Sequence, residues 1–106
     1  MKTQLNRGLS RRLMYVESKS SEIDGTDARI GFVTFSRTGT TVYYRGLELR
    51  RLKGKGVQGN YRDVSNGDEY WVSGVKKRGS NVHPAESASV AIDDDALAAY
   101  RKHITS

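Results

Sequence analysis

Over the first three quarters of the chain, apolar and aromatic residues recur mainly at a period of two, and only the C-terminus shifts to a helical spacing. Arg12 to Glu17 (RLMYVE) reads as a strand from its β-branched and aromatic content. Ser18 to Asp27 is polar and contains the turn signal Asp24-Gly25. Ala28 to Arg45 reads as a hairpin, with Arg37-Thr38-Gly39 as a three-residue loop whose glycine supplies the left-handed residue. That loop sets Ser36 opposite Thr40, Thr34 opposite Val42 and Phe32 opposite Tyr44. Ile30, Phe32, Thr34, Val42 and Tyr44 then share one face, while Val33, Phe35, Tyr43 and Arg45 share the other. Aromatic rings on both faces predict a sheet that curls into a barrel or is covered on both sides.

A second hairpin is centred on Asn66-Gly67, a strong signal for a two-residue type I′ turn. It sets Arg62 opposite Trp71 and Tyr61 opposite Val72, close enough for a cation–π contact between Arg62 and Trp71 of about 0.5–1 kcal/mol. Leu47, Leu49 and Leu52 form a short connecting strand between the hairpins. Near the C-terminus, Ile92-Asp93-Asp94-Asp95-Ala96-Leu97 starts a helix over 94–104. Asp93 is expected to cap it, Asp94 and Asp95 to sit at its positive end, and Ile92 to staple onto Leu97. Leu97, Tyr100 and Ile104 make one apolar stripe, with Arg101, Lys102 and His103 in the last turn. The expected fold is mainly β: a small SH3-like barrel of five or six strands, or a strongly curled antiparallel sheet, with one C-terminal helix. Residues 1–10 read as a flexible basic tail and 11–106 as a single domain.

Composition narrows the chemistry. Leu, Ile, Val and Phe make up 22 of 106 residues, just above the roughly 20% below which a charged chain is read as disordered. The core is lean, and tyrosines must supplement it. Without cysteine there are no disulfides, thiolate chemistry or cysteine-ligated metals, which favours a reducing compartment. The longest apolar run near the N-terminus, Leu13 to Val16, is too short for a signal peptide or a membrane span. The expectation is a cytoplasmic protein without membrane contact. The net charge of +6 is unevenly spread: residues 37–62 hold seven basic groups against Glu48, while acids gather at 21–36, 63–69 and 86–95. Segregation of this kind gives one surface an attraction for polyanions.

Several motifs carry less than their letters suggest. Gly54-Lys55-Gly56-Val57-Gln58-Gly59 matches G-x-G-x-x-G, but Asn60-Tyr61-Arg62 begins a strand where the dinucleotide fold needs a helix. A loop whose Lys53 and Lys55 can wrap a phosphate backbone is the better reading. Consecutive residues on a helix point about 100° apart, so Asp93, Asp94 and Asp95 cannot converge on one ion. No metal and no small-molecule cofactor is expected. His83 and His103 are the two imidazoles a metal-independent ribonuclease would need as acid and base, yet nothing in the sequence brings them together. Gly-x-Ser-x-Gly is absent, and no catalytic residue is assigned. What remains is the interleaving of cations and rings in Tyr43-Tyr44-Arg45, Tyr61-Arg62, Trp71 and Lys76-Lys77-Arg78. Binders of single-stranded nucleic acid combine these groups, cations for phosphates and ring faces for bases.

From Arg12 onward the chain resembles a family of small uncharacterised bacterial proteins. The likeness is carried by Ala28-Arg29-Ile30-Gly31, Val33-Thr34-Phe35-Ser36, Gly39, Tyr43-Tyr44-Arg45-Gly46, Leu52-Lys53-Gly54, Asn60-Tyr61, Asp63-Val64, Glu69-Tyr70-Trp71-Val72-Ser73-Gly74 and Lys76-Lys77. It covers most of residues 12–78 and brings no catalytic residue with it. Phe32 and Val57-Gln58-Gly59 depart from its pattern, which is more basic at both places. The reading is a non-catalytic binding module that contacts nucleic acid through Arg45, Arg50, Arg51, Lys53, Lys55, Arg62, Trp71, Lys76 and Lys77. The alternative is a protein-interaction module, an adaptor or an inhibitor of an acidic partner protein. A metal-independent ribonuclease using His83 is a weaker third.

Overall fold

The computed structural model describes residues 9–53, 58–76 and 90–105. The period-two segments in them become β1 (Ser10–Ser18), β2 (Ala28–Phe35), β3 (Thr41–Tyr44), β4 (Leu47–Arg51), β5 (Tyr61–Asp63) and β6 (Glu69–Gly74). These six run as an antiparallel meander, and β1 pairs with both β2 and β6, so the sheet closes into a barrel. Closure leaves no free edge in the ring of six, which matters for a chain this basic and this short of aliphatic core. A seventh strand, β7 (Val90–Ile92), lies parallel to the first half of β2, from Ala28 opposite Val90 to Ile30 opposite Ile92. The last part of β2, Thr34 and Phe35, pairs instead with β3. Between those two pairings β2 parts from β3 at one end of the barrel. The chain then makes a 3₁₀ turn, Asp94–Ala96, and enters helix α1 (Leu97–Thr105). No helix among the described residues is long and apolar enough to cross a membrane.

Both expectations for the two-faced hairpin are met. Val16, Val33, Val42 and Leu49 are fully buried inside the barrel with Tyr44, Tyr61, Tyr70 and Val72, so tyrosine rings do supplement the aliphatic core. Outside the barrel, Tyr15, Ala28, Ile30 and Val75 form a second cluster against Leu13, Val90, Ile92 and Tyr100. The C-terminal segment covers that patch. Helix α1 itself buries no residue completely: Ile104 is exposed, and His103 Nε2 lies 2.7 Å from the Val75 carbonyl oxygen.

Three turns differ from expectation. In the β2–β3 hairpin the Ser36 N–H donates to the Thr41 carbonyl (2.9 Å), so the loop holds four residues, 37–40, rather than three. The Ser36 hydroxyl also accepts from the Thr41 N–H (3.0 Å), and this bond keeps Thr40 in the loop. Thr34 therefore faces Tyr43, and Phe35 faces Val42. A slip of one residue changes which side chains share a face. Val33, Phe35, Val42 and Tyr44 line the interior, and Phe32, Thr34 and Tyr43 turn outward. In the β5–β6 hairpin, Asn66-Gly67 does not form a two-residue turn. The buried Asp63 carboxylate accepts from the Ser65 N–H (2.8 Å) and the Ser65 hydroxyl (2.7 Å), which opens a four-residue loop closed by Gly67 at φ +82°. Arg62 then faces Glu69, and Tyr61 faces Tyr70. A turn with two successive positive φ values, the requirement for type I′, joins β3 to β4 at Arg45 (φ +47°) and Gly46 (φ +82°) instead.

Hairpins of a meander alternate between the two ends of the barrel, and here that separates charge. The segments at one end, 9–12, 36–40, 51–53 and 58–60, carry Arg11, Arg12, Arg37, Arg51 and Lys53 and no carboxylate of their own among the described residues, although Asp95 reaches Arg11 and Glu69 reaches the Gln58 and Gly59 N–H groups from neighbouring elements. The opposite connections, 19–27, 45–46 and 64–68, carry Glu22, Asp24, Asp27 and Asp68 against Lys19 and Arg45.

Candidate nucleic-acid interface

The site begins with the register of β4 and β5. Arg50 and Arg62 are direct cross-strand partners, so both project from the outer face, and both are exposed. Like charges directly opposite each other repel, and neither arginine joins an ion pair among the described residues. Arg51, the next residue on β4, sits above Tyr61: its Nη2 is 3.5 Å from the tyrosine hydroxyl, and its guanidinium carbon is 5.8 Å from the ring centroid. Its N–H donates to the Thr40 carbonyl (2.7 Å), and the Tyr61 hydroxyl donates to the Gly39 carbonyl (2.9 Å). These bonds bind the β2–β3 loop to the basic end. Lys53 follows, exposed. Four of the cations expected from sequence thus lie together on one ribbon.

Other cations are committed elsewhere. Arg11 pairs with Asp95 (3.6 Å), Lys19 with Glu17 (3.0 Å) and Arg29 with Asp93 (2.9 Å). Arg45 is the clearest departure from the expected site. Its Nε donates to Asp24 (2.6 Å) and its Nη1 lies 3.4 Å from Asp93, so its charge is met by two carboxylates at the acidic end. The hydrogen bond to Asp24 is the main cause that holds its pKa above the ordinary arginine value. Lys76 is exposed just past β6. Lys55, Lys77, His83 and most of the G-x-G-x-x-G loop lie outside the described residues, as does the N-terminal tail up to residue 8.

Trp71 is 40% exposed on the outer face of β6. Its partner on β1 is Glu17, and it stands diagonal to Arg62 rather than opposite. The cation–π contacts among the described residues are Arg11 on Phe32 (3.9 Å to the centroid) and Arg51 on Tyr61. The expected Arg62–Trp71 stack is therefore not formed, because the four-residue loop moves Trp71 two positions along. Tyr43, at 44% the most exposed of the large apolar side chains in the described residues, lies opposite Glu48 on the outer face of β3. It borders a shallow depression of about 430 Å³ lined also by Phe32, Thr34, Leu47 and Glu48.

A buried ionic cluster fixes the other end of the barrel, and sequence reasoning missed it. Asp93 makes no side-chain capping bond to the helix. Its carboxylate turns into the gap between β2 and β3 instead. There it accepts from the Tyr44 hydroxyl (2.6 Å) and from Arg29 Nη1 (2.9 Å), with Arg45 beyond. Arg29 also donates to the carbonyls of Ile23 (2.9 Å) and Asp24 (3.0 Å). Burial, and then the bond to Asp93, pushes the Tyr44 phenol above its ordinary range. Gly31 makes room: a Cβ there would collide with the Asp93 carboxylate and the Tyr44 hydroxyl. A lone glycine inside a strand pattern signals such a close approach. The Ile30-Gly31-Phe32 run offered that signal. Among the described residues no group of three His, Asp or Glu side chains is arranged to hold a metal.

No family model matches the chain, and no curated protein or solved structure does.

Proposed function

We propose that the chain is a non-catalytic binding module whose β4–β5 ribbon contacts the phosphate backbone of a nucleic acid. The observation that supports this most is the opposition of Arg50 and Arg62, exposed and in no ion pair among the described residues, next to Arg51 and Lys53. Four other basic side chains (Arg11, Lys19, Arg29 and Arg45) have acidic partners. A sheet surface that sets two guanidinium groups side by side gains when an external anion lies between them. Phosphates do so at every step of a strand, and each neutralised phosphate releases condensed counterions.

The test is fluorescence anisotropy with a labelled oligonucleotide at low and moderate salt. Four phosphate contacts predict a slope of log K against log salt of about −3 on a single strand, so a fourfold rise in salt weakens binding by roughly 50-fold. Binding weaker than millimolar at the lower salt overturns the reading.

A further inference from the structure

The arginine pair does not stand alone on its face, and the registers of four adjacent strands show what flanks it. Arg62 on β5 faces Arg50 on β4. Glu69 faces Arg62, which puts Trp71, two residues on, diagonal to Arg62. Thr41 faces Arg50 and Glu48 faces Tyr43, which puts Tyr43 diagonal to Arg50. β3 and β6 run in opposite directions along this path, so the two rings are offset to opposite sides. The result is a diagonal track, Trp71–Arg62–Arg50–Tyr43, across the outer face of β6, β5, β4 and β3. From strand spacing and residue rise, it spans about 20 Å along the surface. That is the scale of the shortest single-strand sites, about 4 nucleotides.

We infer that the ligand of this face is single-stranded, its phosphates over Arg50 and Arg62 and its bases stacked on Trp71 and Tyr43. This rests on the phosphate reading above and makes it specific. A ring standing on a sheet surface can stack only on a base whose own face is free, which unpaired strands offer and duplexes do not. Trp71 and Tyr43 are the two exposed rings among the described residues, while Phe35 and Tyr100 are half-buried against the two apolar clusters. Phe32 is already covered by the Arg11 guanidinium, and Tyr15, Tyr44, Tyr61 and Tyr70 are buried. Three carboxylates border the track, and Glu17, opposite Trp71, is paired with Lys19 (3.0 Å). Glu69 is turned aside, its Oε1 accepting from the backbone N–H groups of Gln58 and Gly59 (2.7 Å each). Glu48 lies exposed in the depression beside Tyr43. It repels a phosphate from that spot and leaves the ring to a base.

Trp71 is the only tryptophan of the chain, so its fluorescence reports on one end of the track directly. A short oligothymidylate is expected to quench it, and a duplex of the same length is not. Tyr43→Ala and Trp71→Ala should each weaken oligothymidylate binding about tenfold and leave duplex affinity unchanged, with Tyr43→Phe close to wild type. Both side chains are exposed, and matching thermal unfolding curves confirm that the variants fold. Unquenched fluorescence and unchanged affinity in the ring variants, with Arg50→Ala and Arg62→Ala still weakening binding, overturn this inference alone. Binding of neither strand form overturns the phosphate reading with it.

Discussion

Replacing Asp93 separates two accounts of the C-terminal segment. As a helix cap, Asp93 would be exchangeable with Asn or Ser at almost no cost, and even alanine would cost only about 0.5–2 kcal/mol. As observed, its carboxylate is 7% exposed and meets the Tyr44 hydroxyl and the Arg29 guanidinium, itself 14% exposed. Removing one partner of a buried ion pair costs about 3–5 kcal/mol, because the other charge is left uncompensated. That is a large share of the roughly 5–15 kcal/mol that holds a domain together. Asn preserves the shape and one acceptor oxygen but loses the charge that both arginines face, so Asp93→Asn should cost about 2 kcal/mol. In a domain of this size the midpoint should fall by on the order of 10 °C. Thermal unfolding followed by circular dichroism measures it, and a double-mutant cycle with Arg29→Met isolates the coupling. Wild-type stability in both Asp93→Asn and Asp93→Ser would refute the buried-ion account and restore the cap.

Gly31→Ala forces a methyl group against the Asp93 carboxylate. It should destabilise by about 1–3 kcal/mol in urea unfolding, whereas an exposed strand glycine replaced by alanine would gain slightly. Replacing Arg50 and Arg62 together by alanine should flatten the single-strand salt slope by about 1.4 without lowering stability, since it removes a repulsive pair. An unchanged slope places the phosphates elsewhere. Tyr44 and Tyr70 both have raised pKa values, chiefly through burial. The fold therefore keeps protons on them that the unfolded chain loses above the ordinary value of 10.0. The stability they contribute is complete below that pH and is lost as pH rises through their folded values. Absorbance titration at alkaline pH should show these two phenols ionising above the ordinary tyrosine value, together with unfolding.

The strands were legible because burial imposes a period of two, and Ile30 to Phe35 and Tyr70 to Val72 show it openly. Registers were less legible, because single side-chain bonds set them: the Ser36 hydroxyl to the Thr41 N–H, and the Asp63 carboxylate to Ser65. Each lengthens a loop that local turn preferences alone would make shorter. The Arg45-Gly46 turn went unseen since arginine rarely takes positive φ. Its conformation is held by Asp24 and Asp93, distant in sequence. Helix-cap preferences reach only a few residues ahead of Asp93, while its partners Arg29 and Tyr44 lie 64 and 49 positions away. Charge clustering marks Arg50 and Arg62 as candidates from sequence. Their opposition, and the rings that flank them, depend on the registers and emerge only in three dimensions.

An amide NMR titration with oligothymidylate decides whether the outer face from Trp71 to Tyr43 receives a single strand. Saturable shifts are expected at Tyr43, Arg50, Arg51, Lys53, Arg62 and Trp71, with Asp24, Asp27 and Asp68 at the acidic end unmoved. Shifts confined to the acidic end, or none at low salt, would contradict single-strand binding at this face.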